Sequence, residues 1–371
     1  MKFSAKSSDL QKALAKIIGV VPTRSTLPIL ENLLFDLNKN TLKVTATDLE
    51  VSMTVSIEVK GSEDGTIAIP AKRLSDTVRA LPETNVTLSA DVENNRITMK
   101  TENGEYALTG ESSDEFPSIP QFKSEKNLEV DASALQHMIS RALFAVSSDE
   151  LRPAMTGVLL QIQPKEFRAV STDGHRLVKI TSTAFASPEL TRDIVVPAKA
   201  LTLVEKLVAD GNNAISMNQS HILFTFGSTS LTSRLIEENY PNYESVIPLE
   251  NDKSLVVNKD ELLQSVRRVS LYSNSATHQV RFSVRTNELT ITAEDIDFGT
   301  EAKEVIVCDY AADDLDIGFN STYVMDVLAH IDSPEAVFRF SSATRAAIVE
   351  PHVQRENETV LMLVMPVRLN N

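Results

Sequence analysis

Ile69-Pro70-Ala71-Lys72, followed by Leu74 and Val78, is written again as Val196-Pro197-Ala198-Lys199, followed by Leu201 and Leu203. A divergent third copy reads Ile317-Gly318-Phe319-Asn320, followed by Tyr323 and Val327. Each is a short strand pattern running into apolar residues at helical spacing, and proline suits a helix start, where its missing N–H costs nothing. Two further markers keep the same order. Phe3-Ser4-Ala5 with Leu10, Leu14 and Ile17 returns as Leu128-Glu129-Val130 with Leu135, Ile139 and Ala142, and as Leu255-Val256-Val257 with Leu262, Val266 and Val269. Leu42 to Asp48, Phe167 to Asp173 and Leu289 to Asp295 are alternating strands that end in a polar turn. An internal period of this kind decides the fold before any single residue does.

Each unit of roughly 120 residues therefore reads as strand, helix, strands, second helix, strands. The spacing predicts helices over 7–21, 71–81, 132–146, 198–209, 259–272 and 321–331. Turn signals such as Glu93-Asn94-Asn95, Glu102-Asn103-Gly104 and Gly211-Asn212-Asn213 favour antiparallel meanders. The expected fold class is α+β, with three repeated domains of two helices plus antiparallel sheets. Boundaries are expected in Phe116-Pro117-Ser118-Ile119-Pro120 and Tyr240-Pro241-Asn242-Tyr243, giving domains 1–124, 125–248 and 249–371.

Composition narrows the function. No stretch approaches a membrane span and Met1-Lys2-Phe3-Ser4 does not open a signal peptide, so a cytoplasmic protein is expected. Cys308, the one cysteine, lies in the apolar run Val305-Ile306-Val307-Cys308 and reads as a buried residue, not a nucleophile. The six histidines are scattered, and no Cys/His spacing suggests zinc. No glycine-rich phosphate loop is present, and no metal or cofactor is expected. Asp173 and His175 could form an acid–base pair, but the other repeats carry Asp48-Leu49-Glu50 and Asp295-Ile296-Asp297, without His, and Asp-Gly more often marks a turn.

The net charge of −15 opposes nucleic-acid binding, yet the six predicted helices carry eleven basic and six acidic residues, leaving the remainder at −20. Helices gathered on one face would offer phosphates a mild, sequence-independent attraction, and retention on DNA would have to be topological. A peptide-binding repeat scaffold that never encircles DNA is the competing reading.

Thr26-Leu27-Pro28-Ile29-Leu30-Glu31-Asn32, Thr47-Asp48-Leu49-Glu50, Thr172-Asp173-Gly174-His175-Arg176-Leu177 and Met365-Pro366-Val367-Arg368-Leu369 stand in an order that resembles the beta subunit of bacterial DNA polymerase III along the whole chain. The resemblance implies a non-enzymatic processivity factor: a head-to-tail homodimer closing as a ring around duplex DNA, helices inside and sheets outside. It also implies docking of the replicative polymerase alpha subunit, the clamp loader, other polymerases and repair proteins through short peptides.

By that resemblance the peptide pocket is lined by Met155, Thr172, Gly174, His175, Arg176 and Leu177 from the central repeat, with Pro241 and Val246 after it. The C-terminal repeat supplies Asn320, Tyr323, Thr344, Ala346, Leu363, Val364, Met365, Pro366, Val367 and Arg368. Aliphatic and Met side chains would form the socket, while His175, Arg176, Asn320 and Arg368 would orient the peptide. Val367 stands where the family commonly has Met, and Asn370-Asn371 extend past its usual final Leu. Arg24 and Arg73 are DNA contacts by resemblance; Arg79, Lys199 and Arg152 are added from charge and placement. Tyr106 and Leu108 are assigned by position to one side of the dimer interface, with Leu271 and Tyr272 on the other and Glu301 and Glu304 as charge partners; an intradomain core place for Tyr106 and Leu108 is the alternative.

Overall fold

The computed structural model describes residues 1–119, 127–184, 191–207 and 213–369. Pro120, residues 208–209 of the fourth predicted helix, the turn residues Gly211-Asn212 and the Asn370-Asn371 extension lie outside the described residues. The six expected helices are Ser7–Ile17 (α1), Ala71–Ala80 (α2), Ala132–Leu143 (α3), Ala198–Leu207 (α4), Lys259–Val269 (α5) and Ser321–Ala329 (α6). Several end earlier than periodicity suggested. Helix α1 stops ahead of Gly19 and Pro22, and α5 tightens into a 3₁₀ turn at Ser270–Tyr272. All eleven basic and six acidic helix residues nevertheless fall inside the observed helices.

The aspartates that end the repeated strands share a local cause. Asp48 Oδ1 accepts the N–H groups of Glu50 and Val51 at 3.0 and 2.7 Å, and Asp173 Oδ1 accepts those of His175 and Arg176 at 2.8 and 2.9 Å. Asp295 Oδ1 does the same for Asp297 and Phe298 at 3.0 and 3.4 Å. A side chain that mimics the next backbone acceptor reverses the chain at low entropic cost. In the central copy Gly174, at φ +90°, takes the left-handed position that Leu49 holds at φ 77° in the first.

Among the described residues every sheet is antiparallel. One compact unit holds residues 1–136 and 199–235. Its five-stranded sheet runs Lys60–Glu63, Lys2–Lys6, Asn85–Asp91, Arg96–Lys100, Glu105–Thr109. Its eight-stranded sheet joins the first and central repeats where Thr229–Arg234 pairs with Val51–Glu58.

The other unit holds residues 137–198 and 236–371. Here an eight-stranded sheet joins the central and C-terminal repeats where Arg176–Ser182 pairs with Glu358–Val364, and a four-stranded sheet runs Thr300–Val307, Glu288–Asp295, Gln279–Arg285, Leu315–Asn320. Phe282 meets Phe319 edge-on at 5.4 Å in its core.

After the last strand of each repeat the chain doubles back onto the strand that precedes the second helix, through single bridges Ala68 to Glu111, Val195 to Ile236 and Gly318 to Val367. The third brings the C-terminal segment so close that a Cβ at Gly318 would lie 2.8 Å from Val367 O and from Leu369 Cδ2.

The buried Asp295 carboxylate tests the turn. Asp295→Ala removes the acceptor for two N–H groups and is expected to lower stability by about 1–3 kcal/mol, read as a lower urea midpoint at unchanged slope.

Candidate functional site

The register of the second inter-repeat pair builds an apolar floor. Leu177 lies opposite Leu363 and Arg176 opposite Val364, with Ala347 on the far side of Val364. Leu177, Leu363 and Ala346 pack with Leu159, Val170, Val195 and Tyr243, and Ile236, Tyr240 and Ile247 close against them. Of the sequence-assigned set, Met155 and Thr172 are also buried; Thr172 Oγ1 donates to Arg176 O at 2.6 Å and accepts the Gly174 N–H at 3.1 Å. Leu159, Val170, Val195, Tyr240 and Tyr243 were not singled out from sequence. Tyr240 and Tyr243 were legible only as flanks of a Pro-containing boundary, although paired aromatics there are a signal for a packed segment.

Around the floor the sequence-assigned rim is open. Gly174, His175, Pro241, Val246, Thr344, Met365 and Arg368 are exposed, while Pro366 and Val367 are half-buried and Val364 is buried. The Met365 N–H donates to His175 O at 2.8 Å and the Val367 N–H to Gly318 O at 2.9 Å, fixing the C-terminal segment along the rim. Asn320 is spent locally: its side chain accepts the Thr322 N–H at 2.9 Å and caps α6. Tyr323 stacks on His175 at 5.7 Å. Asp173 binds backbone N–H groups and the Arg176 guanidinium, so it serves the turn and not an imidazole base.

Behind the rim, α3 presents His137, Arg141 and, just past its end, Phe144 at i, i+4 and i+7. His137 Nδ1 faces Glu358 at 2.9 Å and Nε2 faces Asp332 at 2.6 Å; Arg141 and Arg355 also reach Asp332, the latter at 3.2 Å. Burial disfavours the Asp332 anion, but hydrogen bonds from His137 and Arg141 outweigh it and hold the carboxyl below the usual carboxylate range. A depressed folded value means stability that is present at neutral pH and lost as pH falls through that value. Asp332→Asn should therefore cost less than about 1 kcal/mol at pH 7, the group being partly solvated, and its deficit against the parent should vanish in denaturation curves taken below the carboxylate range.

Two of the strands that end a sheet carry the residues assigned to the dimer interface or lie beside them. Glu105–Thr109 ends the five-stranded sheet, with Tyr106 exposed and Leu108 half-buried. Thr300–Val307 ends the four-stranded sheet; Val307 is 79% and neighbouring Leu271 80% exposed, and Tyr272 is also exposed. Glu301 is exposed, whereas Glu304 is gripped by Arg268 within the same chain at 2.7 and 2.6 Å. Cys308 follows this edge; burial, aided by the Asp309 and Glu288 charges, pushes its thiol up to about 11, which removes the thiolate at neutral pH.

The basic candidates differ in freedom. Arg24 is exposed in the segment after α1, and Arg73 is exposed on α2. Lys72 and Arg73 line a cleft of about 780 Å³ with Val21, Pro22, Thr23 and Glu31, at a distance in sequence from the apolar floor. Arg79 sits 3.8 Å from Asp76. Lys199 pairs with Asp48, and Arg152 is folded onto Asp149 at 2.8 Å. Among the described residues no group of three or more His, Cys, Asp and Glu side chains could hold a metal, and no helix is long and apolar enough to cross a membrane.

A thrice-repeated unit with an apolar floor and open sheet edges has the features of a docking protein. Residues 1–120 match the N-terminal, 129–242 the central and 244–368 the C-terminal domain of the DNA polymerase III beta subunit family. The beta sliding clamp of Pseudomonas aeruginosa is 30% identical over 372 residues, and that of Chlamydia muridarum 29%, each covering 100% of both chains. Among solved structures, the griselimycin-bound sliding clamps of Pseudomonas aeruginosa and Bartonella birtlesii superpose with TM-scores of 0.94 at 29% and 30% identity, covering 100% of both chains. The chain belongs to the DNA polymerase III beta subunit family, the beta sliding clamps, which are processivity factors for replication and not enzymes.

Proposed function

We propose that this chain closes head-to-tail with a second copy as a ring on duplex DNA in the cytoplasm, and tethers polymerase and clamp loader by peptides seated on the Leu177–Leu363 floor. The family binds DNA, forms a homodimer and interacts with the polymerase and clamp loader. The observation that carries the pocket is the register that sets Leu177 against Leu363 beneath an exposed rim, so that an apolar cluster is bordered by a few polar side chains. Met155, Gly174, Pro241, Val246, Thr344 and Met365 border it, and griselimycin, held by two relatives, is assigned to the same place.

Arg24 and Arg73 are the favoured phosphate contacts, because Lys199 and Arg152 already satisfy carboxylates. At −15 overall, affinity from a few cations is weak and enclosure must do the holding. Incubation with nicked circular plasmid, clamp loader and ATP should leave the protein bound, and linearising the plasmid should release it. Retention on linear DNA with free ends would count against holding by enclosure, and no retention on the circle would favour the peptide-binding scaffold.

For the dimer, we assign the edge Glu105–Thr109 of one copy to the edge Thr300–Val307 of the other, which would satisfy two rows of open backbone groups. Tyr106 and Leu108 would meet Leu271 and Tyr272. Because Leu271 is 80% exposed in the single chain, the double variant Leu271→Ser/Tyr272→Ser should leave its fold intact by circular dichroism while weakening the dimer about tenfold or more by sedimentation.

A further inference from the structure

Arg176 belongs by resemblance to the residues that orient a docked peptide, but its side chain is already committed. It is 12% exposed; Nε donates to Asp173 Oδ2 at 3.1 Å and Nη1 to Asp326. Its guanidinium lies over two rings, 5.3 Å from the centroid of Phe144 and 4.9 Å from that of Tyr323. Phe144 in turn stacks on His330 at 4.3 Å with 16° between planes, and Tyr323 on His175 at 5.7 Å with 14°. One cation thus joins the segment after α3, the turn at Asp173 and helix α6. The planar group meets two rings and two carboxylates at once, an arrangement that a lysine ammonium cannot reproduce.

The stack ends at the rim. His175, stacked on Tyr323, offers its carbonyl to the Met365 N–H, so the position of the C-terminal segment depends on the turn that Arg176 fixes. From this we infer that Arg176 is a positioning residue for the pocket and does not itself contact the ligand. It acts through Phe144, Tyr323 and Asp326 by holding the His175 wall at the spacing that a peptide requires. The inference rests on the pocket reading above.

The test measures griselimycin binding by calorimetry to the full-length protein and to Arg176→Lys, Phe144→Leu, Asp326→Asn and the double variant Arg176→Lys/Phe144→Leu. Phe144 and Asp326 are not among the residues assigned to the pocket lining. Each single variant is expected to weaken binding about tenfold, and the double variant no more than the worse single, since residues of one unit are not additive. The His175 and His330 ring-proton resonances, shifted by stacking in the parent, should move together in all the variants, which a general loss of stability with the stack intact would not produce. Weakened binding for Arg176→Lys with Phe144→Leu and Asp326→Asn unchanged would make Arg176 a direct ligand contact and overturn the inference. Additive losses in the double variant would do so too. Failure of the parent to bind griselimycin would overturn the pocket reading and this inference with it, so the two failures are told apart by the parent alone.

Discussion

Backbone pairing between strands of different repeats is the constraint on which the rest depends. Thr229–Arg234 against Val51–Glu58, and Arg176–Ser182 against Glu358–Val364, extend each ladder from one repeat into the next, so no N–H or C=O row is left open at either junction. A period-two register leaves no freedom: a slip of one residue would break the Leu177–Leu363 pairing and turn one of the two side chains to the other face of the sheet. The apolar floor is therefore a by-product of how the repeats are joined. Its location between central and C-terminal repeats follows from the ladder that joins them.

The same logic applied at the chain's two terminal repeats leaves unpaired what is paired inside. The edges Glu105–Thr109 and Thr300–Val307 are uncovered among the described residues, and the latter carries exposed Val305 and Val307. Open, apolar edges are a liability in a monomer and an asset in a protein that must close with a copy of itself. Edge charge is controlled as well, since Arg268 neutralises Glu304 from within the same chain.

Electrostatics follows a similar economy. A chain of net charge −15 keeps its helices on balance basic, but several of those cations are already matched by local acids, Lys199 by Asp48 and Arg79 by Asp76. What remains for phosphates is weak and unspecific, which suits a protein that must move along DNA and would be defeated by tight contacts.

The sequence by itself determined the repeat count, the six helices and the turns at Asp48, Asp173 and Asp295, because these depend on residues a few positions apart: periodic burial, a proline before a helix, a carboxylate reaching its own next amides. It marked Leu177, Ala346 and Leu363 by resemblance and missed Leu159, Val170, Val195 and Tyr243, which the structure packs with them. Only the tertiary structure decided that Arg176 is enclosed by two rings and two carboxylates, that Arg152 turns onto Asp149, and that Glu304 is matched within its own chain. Those partners lie from three to 150 residues away, and whether a charged side chain is free or satisfied is a property of the space around it, which periodicity and local propensity do not encode.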